Sequence, residues 1–196
     1  MGDIKSALEI AMEKVEKLDK ATNEEQLKWK YIPEGERLAV SYLKEDSNLV
    51  AKLSQCEENA KRYIIQGAAE ILIRYIDLPK DDLVKRNNRK AMDGLKTLKS
   101  DKVSVENVYS KIRRLFDHYT EQGEQQRRQA YGQLKIEFGA RVRQAIQQQL
   151  GPMVGIKINV ESQPQFQEEW RKIQAQLNSQ YLKLLDEYKQ ELSAIA

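Results

Sequence analysis

A chain of 196 residues, 40% of them apolar and 32% charged, suits one large domain or two small ones with a real core and a helix-rich surface. The formal net charge of +3 names no partner class, although Lys80–Arg143 is locally basic, with 16 Lys and Arg against 9 Asp and Glu. A single cysteine, Cys56, and a single histidine, His118, exclude an intramolecular disulfide, a cysteine-based zinc site and any two-histidine metal centre.

Met1-Gly2-Asp3-Ile4-Lys5-Ser6 reads first as a helix start, with Asp3 or Ser6 as N-cap and Glu9 closing a capping box, and also fits the short myristoylation pattern. Ile4, Leu8, Ala11, Val15 and Leu18 then make an amphipathic helix, interrupted at Ala21-Thr22-Asn23. Gln26–Ile32 reads either way. Leu27, Trp29 and Tyr31 alternate with Lys28 and Lys30 like a strand, while a helix also fits. Pro33 is expected to end either one and to open a helix to about Lys44, with Leu38, Tyr42 and Leu43 inward. Trp29 and Tyr31 among lysines could stack on bases, but read first as core anchors.

Asp46 or Ser47 opens an unbroken apolar pattern through Leu49, Leu53, Cys56, Ala60, Tyr63 and Gly67 to Tyr75. Tyr63–Ile76 is apolar on more than one face and is predicted to be the most enclosed helix; Leu78-Pro79 stops it. Asp81 or Asp82 caps the next helix, with Leu83, Asn87, Ala91, Leu95 and Leu98 inward and Lys85, Arg86, Arg89 and Lys90 outward. Ser100–Val103 is the predicted linker, dividing the chain into domains 1–100 and 104–196.

Ser104 is the expected cap of a long helix whose stripe begins Val108, Ile112, Leu115, Tyr119. Thr120–Gln129 then holds no large apolar residue, before Ala130, Leu134, Phe138, Val142 and Leu150 resume the stripe. Gly123 and Gly132 each cost about 1 kcal/mol against alanine, yet neither sits in turn chemistry. The spacing therefore predicts one helix over Ser104–Leu150, bending near Gly123. Gly151-Pro152 stops it. Val154, Ile156, Ile158 and Val160 alternate with polar or small residues, a strand-like connector over 153–161. Pro164 opens a last helix carrying Phe166, Trp170, Ile173, Leu177, Tyr181, Leu184, Tyr188 and Leu192.

These elements predict an all-α fold: an N-terminal helical bundle followed by a long antiparallel helical hairpin, coiled-coil-like, with a short β element at its tip. A lone strand leaves backbone groups unpaired. Val154, Ile156, Ile158 and Val160 are therefore expected to pair with Gln26–Ile32, a partner's peptide or, preferentially, a second copy, which gives a homodimer. The functional expectation is a non-enzymatic scaffold or adaptor acting on an unidentified protein partner through the hairpin. The alternative is nucleic-acid binding along the basic side of residues 80–143 by Arg113, Arg114, Arg127, Arg128, Arg141 and Arg143. Their spacing of about fourteen residues brings them to one side of a helix, where glutamates interrupt them.

No enzyme, cofactor or metal is expected. Nucleotide-cradling glycine motifs are missing. The adjacent pairs Asp81-Asp82, Glu57-Glu58 and Glu168-Glu169 point about 100° apart on a helix and form no dyad. His118 reads as a surface or half-buried residue, and Cys56 as inert packing. No apolar run approaches the ~20 residues of a membrane span, and the N-terminus lacks a secretory apolar core, so a reducing, cytoplasmic location is expected.

Overall fold

The computed structural model describes residues 23–45, 47–150 and 159–196. Over them the regular structure is six helices and no strand: α1 (Asn23–Glu45), α2 (Leu49–Ser54), α3 (Glu58–Tyr75), α4 (Asp82–Leu98), α5 (Lys102–Leu150) and α6 (Pro164–Ala194). The fold is all-α. The helix expected over Ile4–Leu18 and most of the expected strand, through Ile158, lie outside the described residues. The chain divides into two compact units. One runs to Ile76 and adds Arg86–Val105 and Ile195–Ala196; the other comprises Asp77–Lys85 and Glu106–Ala194.

In the first unit the ambiguous stretch Gln26–Ile32 is helix, and Pro33 does not end it: α1 continues through Pro33 to Glu45. A proline in a helix interior removes one backbone donor and crowds the preceding turn. Here tertiary packing overrides that local cost, because the turns around Pro33 are where α1 crosses α3. A Cβ on Gly35 would lie 2.0 Å from the Ile64 carbonyl oxygen, and one on Gly67 would lie 2.2 Å from the Ile32 carbonyl oxygen. Each glycine thus presents a Cα–H to a carbonyl of the other helix, a reciprocal pair of weak Cα–H···O contacts. Ala39, Ala60 and Ala68 are fully buried beside them. The inward face of α1 is therefore Gly35 and Ala39, while Leu38, Tyr42 and Leu43, the large residues expected inward, are half-buried.

The unbroken pattern expected from Leu49 to Tyr75 is two helices. Asn48, not Asp46 or Ser47, caps α2: its Oδ1 accepts from the Val50 N–H at 3.0 Å and the Ala51 N–H at 3.2 Å. A tight turn closes α2, with Gln55 N–H to the Lys52 carbonyl and Cys56 N–H to the Leu53 carbonyl. The Glu57 carbonyl then starts α3. As expected, α3 is enclosed on more than one side: Tyr63, Ile64, Ala68, Ala69, Leu72 and Ile73 are all buried. On α4, Asp81 caps the Val84 N–H at 2.8 Å. Asn88, Ala91, Met92, Leu95 and Leu98 are buried, whereas Leu83, expected inward, is exposed. The Ser100 N–H and hydroxyl both donate to the Ala196 backbone oxygen, at 3.1 and 3.0 Å.

In the second unit α5 is a continuous helix of 49 residues, roughly 74 Å long at 1.5 Å per residue. It passes through Gly123 and Gly132 without a break. Asp101, not Ser104, caps it: the carboxylate accepts from the Ser104 N–H at 3.0 Å and its hydroxyl at 2.5 Å. The hydroxyl of Ser104 and that backbone N–H hold the Asp101 carboxyl below its ordinary range. Val108, Ile112, Leu115 and Tyr119 are buried, as the stripe predicts. On α6 the buried positions are Phe166, Tyr181, Leu185 and Leu192, so the expected Leu184 is exposed and Leu185 takes its place.

Candidate functional site

The part of the second unit richest in specific side-chain contacts is the facing surface of α5 and α6. Pairs rise along one helix as they fall along the other: Lys111 with Glu191 at 2.7 Å, His118 with Tyr181 at 2.9 Å, Tyr131 with Trp170 at 5.0 Å between rings, and Arg141 with Glu169 at 2.5 Å.

The polar run Thr120–Gln129 lies in the middle. Gly123 is buried there, and it leaves room for Tyr181: a Cβ on Gly123 would stand 3.1 Å from the Tyr181 hydroxyl and 3.0 Å from Arg127 Nη1. The Tyr181 hydroxyl shares a hydrogen bond with His118 Nδ1, and its ring meets Tyr119 edge-on at 5.2 Å. Arg127 folds over the Tyr119 ring at 4.2 Å, and its Nη2 donates to the Tyr119 carbonyl at 3.2 Å. Arg127 Nη1 and Asn178 Oδ1 are fully buried and have no protein partner. His118 itself is exposed, as the sequence suggests.

Beyond the run, Leu134, Phe138 and Phe166 form a buried cluster, with Tyr131, Val142, Val160, Trp170 and Ile173 packed against it. Phe166 receives Tyr131 and Phe138 edge-on at 5.5 and 5.6 Å. The turn before α6 is tied down by Glu161. Its carboxylate accepts from Lys135 Nζ at 2.7 Å and the Tyr131 hydroxyl at 2.9 Å, and its carbonyl accepts from Gln167 Nε2 at 2.7 Å. Lys135 first, then Tyr131, pulls the Glu161 carboxyl below its ordinary range. Burial, then Glu161, raises the Tyr131 phenol. No sequence pattern marked Glu161, which sits at the end of the alternating stretch.

Of the residues singled out for strand pairing, Val154, Ile156 and Ile158 lie outside the described residues, and Val160 is in a bend, half-buried against the Phe138–Phe166 cluster. Of the six arginines singled out for a polyanion, Arg113 pairs with Glu106, Arg127 and Arg128 with Glu124, and Arg141 with Glu169. Arg114 and Arg143 are exposed.

The first unit carries a groove of about 700 Å³ between α1, α2 and α3. Lys30, Arg37 and Lys52 line it opposite Glu34 and Glu57, over Leu38, Ala60 and Ile64. Lys52 Nζ donates to the Ser41 hydroxyl at 3.0 Å, and Lys30 lies over the Tyr31 ring at 4.7 Å. Trp29 is 48% exposed and anchors no core, which corrects the expectation; Tyr31 is half-buried at the groove. Cys56 also faces the groove. Burial, then Glu34, raises its thiol above the ordinary range, the opposite of what an activated nucleophile needs. Among the described residues no three His, Cys, Asp or Glu side chains converge as a metal site, and no helix is long and apolar enough to cross a membrane.

Residues 50–194 match the model of a Family of unknown function (DUF6657). No curated protein and no solved structure matches the chain.

Proposed function

We propose that this chain, which belongs to that family of unknown function, is a non-enzymatic scaffold or adaptor. It works through α5 and α6 as a coiled-coil-like helical hairpin, and through self-association as a homodimer. The observation that carries the reading is the run of facing contacts from Lys111–Glu191 to Arg141–Glu169, a frame assembled from aromatic edges and ion pairs. The family match includes all of α5 and nearly all of α6 and leaves out α1, which favours the hairpin as the working part. Ile136, Leu182 and Leu184 stand exposed on these helices and offer contact area to a protein partner.

The carboxylates agree with a non-enzymatic role. Those displaced from their ordinary range, Asp101, Glu161 and Glu168, are all held down by neighbouring donors, whereas a general acid is pushed up. The unpaired Cys56 suits a reducing cytoplasm. The alternation of Val154, Ile156 and Ile158 is the sequence basis for the dimer. Light scattering at tens of micromolar tests it: a dimer mass is expected, and a strict monomer removes self-association from the proposal.

The second reading is polyanion binding, favoured by Arg114 and Arg143, which are exposed and carry no printed carboxylate contact among the described residues. Binding of duplex DNA whose log affinity falls steeply with log salt, and which weakens when Arg113, Arg114, Arg127 and Arg128 become Gln, would establish it in place of the scaffold.

A further inference from the structure

We infer that the α5–α6 pairing is built as two firm segments separated by a labile joint at Gly123, Arg127 and Asn178, where the helices part without unfolding either segment. On one side of the joint Val108, Ile112, Leu115 and Tyr119 are buried, and so are Leu185 and Leu192 on α6. On the other side the Leu134–Phe138–Phe166 cluster is closed by Tyr131 and Trp170 and clamped by Glu161. Between them, over nearly three turns of α5, there is no large apolar residue to hold α6.

The groups that fill this gap are poorly suited to a rigid seam. Gly123 has the weakest helix propensity of any residue but proline. Arg127 Nη1 and Asn178 Oδ1 are a buried donor and a buried acceptor with no protein partner. Such groups carry a desolvation penalty that opening relieves, because water then satisfies both. Regions with few buried apolar contacts open at lower free energy than their flanks. The hydrogen bond from His118 to Tyr181 lies at the proximal edge of the joint, so the distal segment, Ala130–Leu150 with Asn159–Leu177, is the part that swings. This holds whether or not the chain self-associates.

Amide hydrogen exchange on the full chain, corrected for intrinsic rates, reads the joint directly. Amides in residues 120–129 and 174–180 should exchange about tenfold faster than those in 109–117 and 133–140. Exchange no faster in the middle than in the flanks overturns the inference. Arg127→Met combined with Asn178→Leu removes both partnerless polar groups while keeping side-chain bulk, and should slow exchange in the middle severalfold. Unchanged or faster exchange would mean that these groups hold the helices together, and would overturn it too. Arg127→Met alone should move in the same direction by a smaller factor, and faster exchange in it has the same adverse meaning.

Discussion

The two units pack helices in opposite ways. In the first, α1 and α3 meet backbone to backbone, with Gly35 against Ile64 and Gly67 against Ile32 and small side chains beside them. In the second, α5 and α6 meet through large side chains, with aromatic edges 5.0–5.6 Å apart and ion pairs along the flanks. A backbone contact cannot yield, because a carbonyl has no rotamer to change. A side-chain contact can adjust at any one point. The first arrangement is therefore brittle at two atoms, and the second spreads its stability over many groups and tolerates a weak middle.

Adding a side chain at the crossing breaks this contrast most directly. Gly67→Val would place a Cβ 2.2 Å from the Ile32 carbonyl oxygen. The helices must separate, and the expected loss is roughly 4 kcal/mol, at the diagnostic end of single substitutions. Urea titration measures it. A loss below about 1 kcal/mol would show that α1 and α3 slide apart freely. Next in size is Phe166→Ala. It removes a fully buried ring that touches both Tyr131 and Phe138, and should cost about 3 kcal/mol. If it costs as much as Gly67→Val, the second unit is as brittle as the first.

The same contrast explains what was legible in the sequence. The stripe Val108, Ile112, Leu115, Tyr119 and the pair Leu134, Phe138 could be read because large apolar residues at helical spacing announce a buried face. The α1–α3 crossing could not, because its inward residues are Gly35 and Ala39. A search for bulk passes over them and selects Leu38 and Tyr42 instead. The spacing Gly35-x-x-x-Ala39 was the available signal. Pro33 misled for a related reason: a local rule ends a helix that tertiary contact carries through. In the candidate site, the arginines were visible as a basic series, but their partners Glu106, Glu124 and Glu169 could be assigned only in space. Tyr181 was placed on the right face, while the notch it enters at Gly123 depends on which residues α5 and α6 bring opposite each other.

A glycine with no neighbour sharpens the comparison from the other side. Nothing lies within 4 Å of where a Cβ on Gly132 would stand. Gly132→Ala meets no obstacle and lowers the entropy of the unfolded chain, so it should stabilise by about 0.5–1 kcal/mol. A thermal or urea midpoint that falls instead would mean that this position of α5 packs against something in solution, a second copy being the first candidate.

The smallest effect is electrostatic and tests whether the Glu161 clamp matters to the second unit. Lys135 and Tyr131 hold the folded carboxyl below its ordinary value. A depressed folded pKa means that the carboxylate's contribution is fully present above the unfolded value of about 4.3 and is lost as pH falls through the folded one. Glu161→Gln keeps an acceptor for the Tyr131 hydroxyl but removes the charge that Lys135 answers. Above pH 5 the variant should be slightly the less stable of the two, and the gap should close as the pH is lowered through the acid range. Because the pair is exposed, high salt should narrow the gap at neutral pH as well. Stability curves that run parallel from pH 7 to pH 3 would mean that the turn before α6 is held by the Phe166 cluster alone, with Glu161 contributing a hydrogen bond and no charge-dependent stability.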